Sequence, residues 1–337
     1  MSLWIARVAQ RPMYAYSVRA LLGILLFVLV GGRLFAQQQI ADPDFEASVA
    51  RPAYAKHPPT VAIDAAHANT HTASGQFKPF AELLRADGYH VVEWTRTFDA
   101  KALAEIEVLV IANARDLEAL MRGVLESPAF TEEECDAVRD WVRAGGALLL
   151  IADHAPFGHA MESLGARFGL SMGKGWAFDH AAEGGITTQL VFSRENGLLG
   201  DHPIVQGRDS EETITSVRSF TGQSIGADDD VTILMKLSDT AREAATPDDL
   251  NASDAAVRGG DTDRLAASST SVAGRAQGVA MTFGRGRVVA LGEAGMFSAQ
   301  IVRYPDGSER RFGMNIDGYD NRQLALNVVR WLSGALE

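Results

Sequence analysis

An aspartate, two histidines and an asparagine crowd the stretch Val61-Ala-Ile-Asp64-Ala-Ala-His67-Ala-Asn69-Thr-His71. The apolar run 61–63 breaks here into side chains that carry protons, accept hydrogen bonds or ligate metals. Similar residues follow other apolar runs: Asn113 after 108–112, Asp153 and His154 after 147–152, and Glu293 after 287–291. Carboxylates with neutral imidazoles suit a divalent, zinc-like ion, which in catalytic sites takes three protein ligands and keeps one position open. His67, His71 and His154 are the expected ligands, with Asp64 or Asp153 as fourth ligand, partner of a ligating imidazole, or base. Imidazoles titrating near ~6.5 equally suit acid–base work without metal. In either scheme Asp64, Asp153 and His154 are the catalytic candidates, and Asn69, Asn113 and Glu293 the substrate contacts.

Simpler roles compete for several of these residues. Asp64 and Thr72 can hold a turn or cap a helix, and Asp153 precedes Ala155-Pro156 at a plausible helix start. His159 falls opposite the apolar stripe of its helix and is expected to face solvent. His180 sits in a loop, and Asp201-His202-Pro203 fits turn chemistry. The one cysteine, Cys135, cannot form an intramolecular disulfide. Thr131 and Glu134 form a capping box ahead of it, which pairs Phe130 with Cys135 as a hydrophobic staple and assigns the thiol to the core. A GxxxxGK[ST] phosphate loop and a GxGxxG after the first strand are both absent from the sequence.

The elements that must position these residues alternate along the chain. Apolar runs at 61–63, 90–94, 108–112 and 147–152 read as strands. Between them, amphipathic stretches ending at Gly88 and at Gly145-Gly146 read as helices, and another carries Phe157, Met161, Leu164 and Phe168 to Gly169. Such alternation implies a flavodoxin-like α/β fold: a parallel sheet in the order 2-1-3-4-5, helices on both faces, and ligands bound beyond the strands' carboxyl ends. Strands one and four would then lie about 10 Å apart at ~4.8 Å per strand, close enough for their turns to share a pocket. The second half is less regular. Strands are expected at 214–220 and 231–237, a hairpin at 278–283 and 287–291, and a last helix capped near Asp320 and stopped at Gly334. Residues 240–276, rich in Ala, Ser, Asp and Thr, read as a flexible surface insertion.

With 47% apolar composition, residues 60–335 can bury one full core after a linker at 37–59. The net charge of −12 leaves no basic stripe for a phosphate backbone, which argues against nucleic acid as a partner. Residues 1–36 hold four arginines and no acid, and Arg7, Arg11 and Arg19 precede the apolar run 20–32. Its thirteen residues would span about 20 Å as a helix, against ~30 Å of bilayer hydrocarbon. The segment therefore reads as a signal peptide cleaved after Ala36, giving an exported, periplasmic protein. An uncleaved inner-membrane anchor is the alternative, and the membrane is met only through this segment.

The strand order, Gly145-Gly-Ala-Leu-Leu-Leu-Ile-Ala-Asp153-His154 and Gly284-Arg-Gly-Arg-Val-Val-Ala-Leu-Gly292-Glu293 together resemble the class I glutamine-amidotransferase-like superfamily. The likeness covers roughly residues 58–335. It is greatest to an exported branch similar to trehalose-utilisation-type proteins and gliding-motility-type domains. In amidotransferases the strand-four turn carries a catalytic cysteine, with a histidine and glutamate later in the chain. Here that turn reads Ala152-Asp153-His154-Ala155, so the resemblance implies the fold and not glutamine hydrolysis. Two readings stay open. One is a hydrolase or lyase, metal-assisted or not, acting on a small polar or carbohydrate-like molecule. The other is a non-catalytic ligand-binding or scaffold domain of a cell-envelope assembly.

Overall fold

Val108-Leu-Val-Ile-Ala112 and Ala147-Leu-Leu-Leu-Ile151 are buried at every position, as strands covered on both faces must be. They lie at the centre of the computed structural model, which describes residues 38–228, 230–303 and 308–337. The expected signal or anchor at 1–36 lies outside the described residues. The strands run β1 (Gln38–Ala41), β2 (Thr60–Asp64), β3 (His90–Trp94), β4 (Val108–Ala112), β5 (Ala147–Ile151), β6 (Leu170–Met172), β7 (Trp176–Asp179), β8 (Gln189–Ser193) and β9 (Ser216–Phe220). Then follow β10 (Ile225–Ala227), β11 (Thr232–Lys236), β12 (Ala241–Ala244), β13 (Thr270–Ser271), β14 (Ala276–Phe283), β15 (Gly286–Leu291), β16 (Ala299–Arg303) and β17 (Glu309–Gly313).

The main sheet has the order β3-β2-β4-β5-β15-β14-β10-β6, with β11 also paired to β14. Its first five strands are parallel, and β14 returns antiparallel to β15. This is the expected 2-1-3-4-5 order with β15 as fifth strand. Side chains alternate between two cores, as the two-residue strand period requires. Ile63, Val110, Leu149 and Val289 join the core under helices Lys78–Ala86 and Asn321–Leu332. Ala62, Leu109, Ile111, Leu148 and Leu150 join the other, against helices Glu132–Arg143 and Phe157–Ala166. Each buried Leu or Ile contributes about 1.5–3 kcal/mol. The capping box forms as read: Thr131 Oγ1 accepts from Glu134 N at 3.2 Å, and Glu134 Oε2 accepts from Thr131 N at 3.1 Å. Cys135 is fully buried beside Phe130 and Val138 in the second core.

Three segments differ from the sequence expectation. Of the expected linker at 37–59, the described part from residue 38 is no free linker: β1 pairs with β16, Arg51 pairs with Asp209, and Tyr54 Oη donates to Ser333 O at 3.1 Å. The insertion at 240–276 folds into β12, helices Pro247–Gly259 and Thr262–Ser268, and β13, around a small core of Phe178, Ala244, Ala256 and Leu265. Its side chains are too small to show a stripe, so only the caps Thr246 and Asp261 and the left-handed Gly260 mark its helices. Asp320 precedes the last helix without capping it. Its Oδ2 instead accepts from Thr215 N, Thr215 Oγ1 and Ser216 N, which fastens the start of β9.

The last helix is held by a buried ion pair. Arg330 Nε and Nη2 donate to Asp87 at 2.8 and 2.7 Å, with both residues within 1% of full burial. Removing Asp87 takes away both of its bonds to the buried guanidinium and leaves Glu212, 3.1 Å from Nη1, as the remaining acid; breaking such a buried pair costs about 3–5 kcal/mol. Asp87→Ala should therefore lower the urea midpoint by an amount equivalent to roughly 3–5 kcal/mol, and a loss under about 1 kcal/mol would contradict this account.

Candidate functional site

The turn after β2 splits into two parts with different surroundings. In the first, Asp64 accepts from His67 Nδ1 at 2.9 and 3.0 Å and from Ala66 N at 3.0 Å. The other ring nitrogen, Nε2, lies 3.0 Å from Glu134 Oε1, which also accepts from Phe98 N at 3.1 Å. Phe98 and Phe130 pack against the imidazole, each 4.8 Å away between ring centres. Asn69 completes the knot: its Oδ1 accepts from His67 N, and its Nδ2 donates to Ala112 O. Burial alone would depress His67, but its hydrogen bonds and charge interactions with Asp64 and Glu134 outweigh burial and raise its pKa above the ordinary value. Burial opposes ionisation of Glu134 too, yet the donors from Thr131, His67 and Phe98 hold it below its ordinary value.

The second part opens on a cleft of about 1200 Å³. His71, Asn113, Asp153, His154 and Glu293 all line it, whereas Asp64, His67 and Asn69 do not. Asn113 sits at the end of β4 with φ +51°, a left-handed conformation that asparagine tolerates better than most residues. Its Oδ1 accepts from Asp153 N at 2.9 Å, and its Nδ2 donates to His71 Nδ1 at 3.2 Å. An imidazole that accepts at Nδ1 carries its proton on Nε2. Burial keeps His71 neutral, with its pKa lowered to about 4. His154 has the opposite tautomer. Its Nδ1 donates to Ala155 O at 2.9 Å, which leaves the Nε2 lone pair free. The ring stacks on Trp176 with centres 3.4 Å apart.

Glu293 lies at the foot of the cleft and is 2% exposed. Its two oxygens accept from Gly295 N at 2.5 Å and Met296 N at 2.7 Å. Burial and the neighbouring Asp153 push its carboxyl well above the usual range, against the pull of backbone N–H groups from Met296, Gly295 and Phe220. Two chain crossings seat this turn. A Cβ on Gly292 would meet Gln223 O at 2.3 Å, and one on Gly222, at φ +74°, would meet Gly292 O at 2.3 Å.

The expected ligand set of His67, His71 and His154 is not assembled. Carboxylates occupy both nitrogens of His67, outside the cleft, and Asn113 occupies Nδ1 of His71. Among the described residues no group of three or more His, Cys, Asp or Glu side chains is placed to hold a metal ion. His159, expected in solvent, is half-buried, and its Nδ1 has no partner among the described residues. His202 accepts from Ile204 N at 3.2 Å and caps the short helix Pro203–Gln206, in keeping with turn chemistry. The Cys135 thiol is pushed up to about 11 by burial.

Sequence reasoning missed the cleft walls. Trp176 starts β7, Arg218 and Phe220 belong to β9, and Arg311 and Phe312 belong to β17. Phe220 and Phe312 stack with centres 3.5 Å apart. Nothing local marks these residues, because they reach the cleft through strands outside the parallel core.

A family model described as "Domain of unknown function (DUF4350)" matches residues 69–328. No curated protein sequence matches. Among solved structures, the chain is similar to the "mmIFT52 N-terminal domain" at 12% identity and a TM-score of 0.53, covering 81% of this chain and 97% of that one. A putative ThuA-like protein from Bacteroides uniformis is 16% identical, with a TM-score of 0.42 over 83% of this chain and 93% of that one. Another from Parabacteroides merdae is 11% identical, with a TM-score of 0.39 over 82% and 90%. These likenesses concern the fold alone.

The His67 knot sets a pH dependence of stability. A raised folded-state pKa contributes stability fully below the unfolded value of ~6.5, and that contribution is lost as pH rises through the raised value. Unfolding free energy should therefore fall on the alkaline side of about 6.5 in the wild type and show a smaller slope in His67→Gln. Equal slopes in both proteins would contradict the charged clamp.

Proposed function

The chain belongs to that DUF4350 family of unknown function, and from the chemistry of its cleft we propose an exported acid–base hydrolase or lyase acting on a small polar, carbohydrate-like molecule. The observation that carries this reading is the carboxyl pair Asp153 and Glu293, sharing one cleft with two imidazoles of opposite tautomer. Burial and the charge of Asp153 both disfavour ionisation of Glu293, so its carboxyl keeps its proton to a higher pH than an ordinary glutamate. The pair thus offers a proton donor, with Glu293 oriented by backbone N–H groups. His154 offers a base at Nε2, and His71, neutral above about pH 4, offers an Nε2–H to developing negative charge.

In hydrolysis, His154 Nε2 takes a proton from water, the water oxygen bonds to the electrophilic carbon, and the carboxyl pair protonates the departing oxygen. In elimination the same base removes a C–H proton, a C=C bond forms as the neighbouring C–O bond breaks, and the carboxyl pair protonates the departing oxygen. Either way one proton is gained by the imidazole and one is lost by the pair. Trp176 and the Phe220–Phe312 stack supply flat apolar surfaces of the kind sugar rings pack on, with polar groups around them. A non-catalytic ligand-binding domain is the second reading. It is favoured by the backbone bonds that hold Glu293, which fit a structural carboxylate equally well.

On the catalytic reading, Asp153→Asn and His154→Gln should each lower kcat by about 10²–10⁴-fold while ligand still binds. Reducing-end release and new C=C absorbance from a glycan panel separate hydrolysis from elimination. Activity should be lost below about pH 4, where His71 protonates, and should fall as rising pH takes the proton from the raised Glu293 carboxyl. A wild type that binds sugars without turning any over supports the second reading.

Export rests on the arginines before the apolar run 20–32. Among the described residues no helix is long and apolar enough to cross a membrane. N-terminal sequencing of the secreted product should begin at Gln37, and an intact Met1 in the membrane fraction would contradict cleavage.

A further inference from the structure

We propose that the ligand of this cleft carries an anionic oxygen group, carboxylate or phosphate, and that Arg218 receives it. The inference rests on the cleft binding a small polar molecule. Arg218 is held rigidly by its backbone: it pairs with Val191 across β8 and β9, its N donates to Asn321 Oδ1 at 2.9 Å, and its O accepts from Asn321 Nδ2 at 2.8 Å. Its guanidinium lies over two rings, 5.3 Å from the centre of Phe220 and 4.6 Å from that of Tyr319.

Among the described residues this guanidinium has neither a hydrogen-bond partner nor an acid partner, and its Nε is buried with its bonding capacity unfilled. Arg51, Arg167, Arg208 and Arg330 are all paired with carboxylates. Arg115 shares an unpartnered buried Nε, but Arg218 is the one of the two that lines the cleft, as a partly buried cation in its wall. Buried donors are ordinarily satisfied, and an exception calls for an absent partner. A planar guanidinium fixed between rings presents a fork that fits two oxygens of one oxyanion.

The acids of the cleft do not compete for Arg218. Glu309 pairs with Arg303 at 2.6 Å, Asp317 is exposed, and Asp153 and Glu293 make no bond to Arg218. The buried carboxyl pair repels an anion, while Arg218 attracts one. The charge pattern therefore orients the ligand with its acidic group on Arg218 and its neutral part toward Asp153, His154 and Glu293.

Calorimetry on the full chain with glucuronate, glucose 6-phosphate and glucose tests this directly. At least one acidic sugar should bind tenfold or more tightly than glucose. That preference should vanish in Arg218→Gln and shrink in Arg218→Lys, which keeps the charge without the fork. Preference for glucuronate identifies a carboxylate and preference for glucose 6-phosphate a phosphate, and both support the proposal. If all three sugars bind equally, the anion assignment fails while the polar-ligand reading stands. If none binds, both fail. An undiminished preference in both variants overturns the role of Arg218.

Discussion

One buried amide ties the rim of the sheet together. Asn113, in a left-handed turn at the end of β4, accepts from the backbone of Asp153 after β5 and donates to His71 from the turn after β2. Turns from three neighbouring strands are thereby fixed by a single side chain that is 1% exposed. The same contact sets the tautomer of His71 and the backbone position of Asp153. Without it, the groups at the foot of the cleft would be neighbours in sheet order but not in hydrogen-bonded register.

The turn after β2 divides its labour. Its first half is a charged clamp, in which His67 is gripped by Asp64 and by Glu134 from the capped helix 67 residues later. Its second half delivers His71 to the cleft. Rigidity and chemistry thus come from imidazoles four positions apart in the chain. Glu134 serves three partners at once: its own helix cap, the His67 ring and the backbone of Phe98. A clamp of this kind stiffens the loop that carries His71, which is what a pre-organised site requires.

The parallel core was legible in the sequence because buried strands are written as unbroken apolar runs. The strands at 90–94 and 108–112 and the capped helix to Arg143 fall where the residues place them. Clustering of Asn113, Asp153, His154 and Glu293 on one rim followed from strand order alone. What was hidden depends on distant partners. Nothing within 61–71 says that His67 meets Glu134 while His71 meets Asn113, so two similar histidines could not be told apart. The Ala- and Ser-rich stretch 240–276 hides two helices whose small residues show little periodicity. Arg218 and Trp176 arrive from antiparallel strands and carry no motif.

The central claim concerns one proton. If burial and Asp153 together disfavour ionisation of Glu293 at the foot of the cleft, the Glu293 carboxyl holds its proton to a higher pH than an ordinary carboxylate. Carboxyl-carbon NMR titration of the ¹³C-labelled protein, with resonances assigned through Asp153→Asn and Glu293→Gln, reads this directly. Glu293 should titrate well above the usual carboxylate range in the wild type and move down in Asp153→Asn. Two carboxylates both ionised in the ordinary acidic range, neither responding to replacement of the other, would contradict it.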